Sequence, residues 1–195
     1  VDPGSQRLAI IGEAPGMEEL RDDKPFVGPS GRILNGLLRT AGIERDMLFL
    51  GNIFPAKARD NDVTPWMKDA ELSEKAFARL NADLEKFQPH IIVPMGDTAL
   101  WGFLGGGSIS AVRGNVAEAT RIRPGAKILP TFHPQYVQKQ WKDYVVVVGD
   151  LQKAWRQAAF PEIRWPKREL MVEPTFNEVL WWIDRCHKAD LLSVD

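Results

Sequence analysis

The chain has 195 residues, 44% of them hydrophobic, which is ample for one domain of ordinary size with an appendage. A net charge of -1 and a pI near 6.4 exclude a polycation that holds nucleic acid by bulk charge, and the single cysteine, Cys186, excludes an internal disulfide and a four-cysteine metal site. No apolar run approaches the ~18 residues of a membrane helix and nothing resembles a signal peptide, so a cytoplasmic protein without a membrane partner is expected.

Leu8–Gly12 is a short, branched apolar run and reads as a buried strand. It runs directly into Gly12-Glu13-Ala14-Pro15-Gly16, then the acids Glu18 and Glu19, then Pro25-Phe26-Val27-Gly28. This loop has neither GxxxxGK[ST] nor GxGxxG. Its carboxylates and its aromatic suit a small planar ligand and a water-activating acid better than a polyphosphate. Pro29–Gly42 has helical spacing at Ile33, Leu34, Leu37, Leu38 and Ala41, with Gly42 as its stop. Met47–Ile53 is a second strand and 54–69 a polar loop. Ala70–Phe87 is an amphipathic helix closed by Pro89, and His90–Met95 a third strand with a short capped helix after it. Ile109–Glu118 reads as a minor strand pair, Lys127–Phe132 as a fourth strand followed by His133-Pro134, and Trp141–Ala159 as a helix, with strand the rival over Val145–Val148.

The βαβαβαβ order predicts an α/β fold, a three-layer α/β/α sandwich around a four-stranded parallel sheet. Three strand ends then deliver polar residues to one edge: the Glu13–Glu19 loop, Asn52 and His133. That edge is where open α/β sheets bind ligands. Residues 121–142 hold Arg121, Arg123, Lys127, Lys139 and Lys142 and no acid, which reads as a phosphate-binding patch or as a solvated face. Residues 1–160 form the predicted domain. The prolines of 161–167 read as a linker, and 161–195 as the first elements of a following domain: a strand at Glu169–Val172, a helix over Thr175–His187, and a strand beginning at Leu191.

GEAPGMEE, PFVGPSG, GNI and a strand-borne HP, in that order, resemble the uracil-DNA glycosylase superfamily, and within it family 4, otherwise known for an iron–sulfur cluster. The likeness covers about residues 6–158. It implies that Glu19 positions the attacking water, Phe26 stacks on an extruded base, Asn52 reads the uracil edge and His133 supports the leaving oxygen, with Glu13 and Ala14 lining the same loop. It implies DNA containing uracil as partner, and hydrolysis of the N-glycosidic bond to free uracil and an abasic site. Two of the family's cluster cysteines should fall between Asn52 and Pro89, where Ala56 occupies one such position, so no cluster and no other cofactor is expected. The usual segment after HP is replaced by Gln135-Tyr136-Val137-Gln138, leaving Gln135 or Tyr136 as the wedge into the DNA stack. Leu191–Asp195 is similar to the first strand of proofreading exonuclease domains, which implies the N-terminal part of a phage or bacterial family A DNA polymerase.

Each residue has a bland rival: Glu19 as a first-turn helix acid, Phe26 as core, Asn52 as a loop cap, His133 as a satisfied buried histidine. The alternative function is a catalytically inactive glycosylase-like module of a replicative polymerase, holding DNA through Arg121, Arg123 and Lys127.

Overall fold

The computed structural model describes residues 6–165 and 171–188. The chain divides into two units, 1–163 and 164–195. In the first unit, strand β1 (Leu8–Gly12) is buried along its whole length, because alternate residues serve opposite layers. Leu8 and Ile10 belong to one apolar cluster, Ala9 and Ile11 to the other.

After β1 the chain makes a one-and-a-half-turn helix, α1 (Met17–Asp22), then α2 (Pro29–Ala41), with Pro29 at its first position and Gly42 (φ +74°) as its stop. Strand β2 (Phe49–Asn52) follows, then a short α3 (Thr64–Lys68) and the long α4 (Ala70–Phe87), capped by Asp69 Oδ1 accepting from Leu72 N at 3.1 Å. Strand β3 (Ile91–Pro94) leads into α5 (Asp97–Leu104) and α6 (Ile109–Val112). The minimal strands β4 (Ala117–Glu118) and β5 (Lys127–Ile128) precede α7 (Pro134–Lys139) and α8 (Tyr144–Gln157).

The sheet has five strands in the order β2-β1-β3-β5-β4, parallel except for β4 at the edge. One layer packs Leu34, Leu37 and Leu38 of α2 and Val147, Leu151 and Ala154 of α8 on Leu8, Ile10, Ile91 and Val93. The other packs Ala76, Leu80 and Leu84 of α4 and Phe103 of α5 on Ala9, Ile11, Ile92 and Ile128. The three-layer α/β/α expectation holds, with two corrections. The sheet has a fifth, antiparallel strand. The strand pair expected in 109–118 is instead α6 followed by β4, whose partner is β5. Asp97 Oδ1 accepts from Ile109 N at 2.9 Å, so the first turn of α6 is capped by a side chain twelve residues upstream, a contact no local pattern announces. The fourth strand is shorter than 127–132: Leu129 N donates to Ile92 O and Thr131 N to Pro94 O, but Pro94 of β3 has no N–H to return the bond between them. Pairing resumes only as a bridge between Met95 and Thr131.

The 54–69 loop contains a 3₁₀ turn at Arg59–Asn61 as well as α3. In the second unit, α9 (Phe176–His187) matches the predicted helix and opens with a capping box, Thr175 N donating to Glu178 Oε2 at 2.8 Å. Its Trp181 and Trp182 rings meet edge-on at 5.5 Å, with the Arg185 guanidinium over both. Of the strand expected at Glu169–Val172, Met171 and Val172 are not in a strand, and Glu169 and Leu170 lie outside the described residues, as does Leu191–Asp195.

Candidate functional site

At the carboxyl edge of the sheet is a cleft of about 820 Å³. Four strand exits furnish it: Glu13–Glu19 and Phe26 after β1, Asn52 at the end of β2, Met95–Thr98 after β3, and Phe132–Tyr136 after β5. The strand order reverses at β1, whose neighbours are β2 and β3, so this is the crevice where open α/β sheets bind ligands. The predicted convergence of Glu13, Ala14, Glu19, Phe26, Asn52, His133, Gln135 and Tyr136 on one cleft is what the structure contains.

Gly12 sets the spacing at the floor. A Cβ there would lie 2.7 Å from Asn52 Oδ1 and 2.7 Å from Phe26 Cζ, so only glycine lets amide and ring close in together. Phe26 is 4% exposed and belongs both to the core cluster and to the cleft wall. Its backbone is left-handed (φ +54°), which costs a non-glycine residue about 1–2 kcal/mol. The surroundings hold it there. Arg45 Nη2 donates to Pro25 O at 2.7 Å, and Gly31 of α2 approaches so closely that a Cβ would overlap the Phe26 carbonyl.

Glu19 supplies the rest of that clamp. Its Oε2 accepts from Gly16 N at 3.1 Å, and its Oε1 from Val27 N at 3.1 Å and Gly28 N at 2.8 Å. Three backbone donors on one carboxylate make it a staple across the loop, joining the start of α1 to the turn that carries Phe26. Both oxygens are thus already engaged by backbone, where the sequence leads us to expect a carboxylate turned toward water. Glu13 is the acid with spare capacity: Oε2 accepts from the Thr98 hydroxyl, and Oε1 has no partner among the described residues. Sequence reasoning placed Glu13 in the loop without that role. It missed Thr98 and Asn61, both of which line the cleft; neither lies in a recognisable motif.

Asn52 is held by its main chain. Arg79 of α4 donates Nη2 to Asn52 O at 2.6 Å and to Ile53 O at 3.2 Å, tying down the end of β2. His133 caps α7, with Nδ1 accepting from Gln135 N at 3.2 Å. The ring is therefore a neutral imidazole whose proton is on Nε2. Burial lowers its pKa from 6.5 to about 4, so it stays neutral in weak acid. Gly96 (φ +85°) lies beneath it, where a Cβ would stand 3.1 Å from His133 Cβ.

The basic run does not form one patch. Gln135, Tyr136 and Lys139 line the cleft, whereas Arg121, Arg123 and Lys127 do not. Lys127 is 2% exposed and donates to the carbonyls of Gln157, Phe160 and Glu162 at 2.8, 2.6 and 3.1 Å, so it is a core tie and not a phosphate contact. Arg123 faces a second cleft with Arg7 and His90, at the amino ends of the strands. Arg121 lies over the rings of Phe77 and Trp101 at 4.8 and 4.5 Å. Sequence proximity hid the fact that β5 runs from one edge of the sheet to the other.

The chain's single thiol, Cys186, is on α9, and among the described residues no three His, Cys, Asp or Glu side chains gather as metal ligands. This chain's residues do not fit a four-thiolate cluster. The segment after Asn52 is tied by Phe54 packed at a tilt against Trp66, ring centres 5.3 Å apart, by buried Ala58 and Val63, and by Ser73 Oγ donating to Trp66 O at 2.8 Å. No helix among the described residues is long and apolar enough to cross a membrane.

Fold and cleft together define an open α/β domain with a part-polar cleft at the switch point of a parallel sheet. Residues 1–164 match the uracil DNA glycosylase superfamily, and the chain belongs to that family. It is 34% identical over 152 residues to a type-4 uracil-DNA glycosylase of Thermotoga maritima, covering 76% of each chain. It is 32% identical over 136 residues to one from Archaeoglobus fulgidus, covering 67% of this chain and 66% of that protein. A DNA polymerase of Bacillus phage SP01 is 30% identical over 148 residues, 75% of this chain and 15% of the polymerase.

Proposed function

We propose that the first unit hydrolyses the N-glycosidic bond of uracil in DNA, releasing free uracil and leaving an abasic site. The observation that carries this is the meeting of Glu13, Phe26, Asn52 and His133, from three strand exits, around one cleft. The base must leave the stack to enter it. Stacking on an aromatic ring is worth about 1–3 kcal/mol per base and offsets part of the unstacking cost. The Asn52 amide matches uracil by donating to O4 and accepting from N3–H. Cytosine presents the reverse pair and leaves both groups unpaired.

As the C1′–N1 bond breaks, its electrons go to the uracil ring and the sugar becomes oxocarbenium-like. The Nε2–H of neutral His133 faces the charge that develops on the uracil oxygen, and such a donor is worth about 2.7–4 kcal/mol. The Glu13 carboxylate balances the sugar cation and orients the water that adds to C1′, taking its proton as the bond forms. Glu19 acts on this chemistry only through the loop it staples. Gln135 and Tyr136, exposed at the start of α7, are placed to enter the gap left by the flipped nucleotide.

The test is time-resolved release of uracil from single- and double-stranded oligonucleotides by wild type, Glu13→Gln and His133→Ala. Free uracil from the wild type, slowed at least a hundredfold in both variants, is the expected result. Intact uracil DNA after hours with the wild type overturns the reading. The rival, an inactive DNA-holding module, predicts DNA binding through Arg121, Arg123 and Lys127; all three lie outside this cleft and the Lys127 ammonium is taken up by three carbonyls, which counts against that contact. The phage polymerase match supports the further proposal that this domain is continuous with replicative domains. A reading frame after Asp195 without exonuclease acids would overturn that proposal.

A further inference from the structure

Glu13 sits on a loop flanked by Gly12, Pro15 and Gly16, and nothing in that loop orients its carboxylate. The orienting contact comes from across the sheet. After β3, Gly96 turns the chain with φ +85°, and α5 begins with Asp97 and Thr98 facing the cleft. Asp97 is engaged elsewhere, accepting from Ile109 N. A threonine in the first turn of a helix ordinarily bonds to its own backbone. The Thr98 hydroxyl instead donates its one proton to Glu13 Oε2, 85 residues away in sequence. The Glu13 main chain is fixed independently, its carbonyl accepting from Phe54 N at 3.0 Å. The hydroxyl therefore selects among side-chain positions of Glu13 without building the loop.

We propose that Thr98 is a positioning residue for the hydrolytic step: by holding Glu13 Oε2 it presents Oε1 to the water that attacks C1′. This rests on Glu13 being the water-orienting carboxylate. A carboxylate displaced by about 1 Å loses up to about a hundredfold in rate while substrate binding is unaffected.

The experiment is single-turnover uracil excision by the whole chain carrying Thr98→Val, Thr98→Ala or Thr98→Ser, each in the wild-type and the Glu13→Gln background, with melting temperature followed in parallel. Thr98→Val and Thr98→Ala are expected to slow excision about ten- to a hundredfold, with the substrate concentration for half-maximal rate within about twofold, while Thr98→Ser recovers to within about threefold of wild type. In the Glu13→Gln background, removing the hydroxyl should cost less than about twofold, because the group it positions is gone. A rate for both Thr98→Val and Thr98→Ala within twofold of wild type, with Glu13→Gln slow, overturns the role of Thr98 alone. Equal losses in both backgrounds also overturn it, since the hydroxyl would then act independently of Glu13. A fully active Glu13→Gln instead overturns the underlying assignment of Glu13.

Discussion

The imidazole of His133 gives a prediction that can be worked from the structure with its sign. Burial lowers its pKa to about 4 from the 6.5 it would have in the unfolded chain. Between those values the unfolded chain takes up a proton that the folded protein does not, so stability falls as the pH drops through the window. The His133 contribution is fully present above pH 6.5. Relative to a variant without this ring, the wild type should lose about 1.4 kcal/mol by pH 5.5 and about 2.5 kcal/mol by pH 4.5. Partial exposure of the ring makes these upper values. His133→Asn is the reference, because asparagine retains a side-chain acceptor for the Gln135 N–H at the start of α7. Urea unfolding of both proteins at pH 7.0, 5.5 and 4.5 measures the difference, and the ring resonances of His133 report its titration directly. A stability difference that is flat across this range, or a ring that titrates near 6.5, would refute the buried neutral donor and the role built on it.

Four further outcomes follow from the same geometry. Gly12→Ala should lose about 1–3 kcal/mol of stability by overpacking, and most base release, because the new methyl meets both Asn52 and Phe26; thermal melts and excision assays check it. Glu19→Ala should destabilise the loop by about 1–3 kcal/mol and speed amide exchange at Val27 and Gly28, whereas Glu13→Gln should cost activity at unchanged melting temperature. Asp150→Ala should cost about 1–3 kcal/mol in urea melts, since it leaves the buried Thr131 hydroxyl and the part-exposed Arg113 without the carboxylate they share at 2.6–2.9 Å. Lys127→Met should change stability and leave the salt dependence of DNA binding as in the wild type, measured by fluorescence anisotropy.

The elements legible in the chain were those whose signal is local. Apolar alternation marks β1, the 3.6-residue period marks α2 and α4, and glycine or proline closes each helix. The cleft was legible for a related reason. Parallel strands joined by right-handed crossovers put all their carboxyl ends at one edge, so Glu13, Phe26, Asn52 and His133 had to arrive near each other once the strands were placed. Which acid is available was not legible. GEAPGMEE offers three, and only the folded loop brings the N–H groups of Val27 and Gly28 to Glu19 and the Thr98 hydroxyl to Glu13. The basic run was not legible as a unit for the same cause, since strand β5 puts Arg123 and Lys127 at one edge and Lys139 at the other. Local sequence determined where the chain turns helical, extends and stops, because those preferences act over a few residues. Tertiary structure decided the partners of each hydrogen-bonding group, because those bonds join atoms brought together only after the layers have packed.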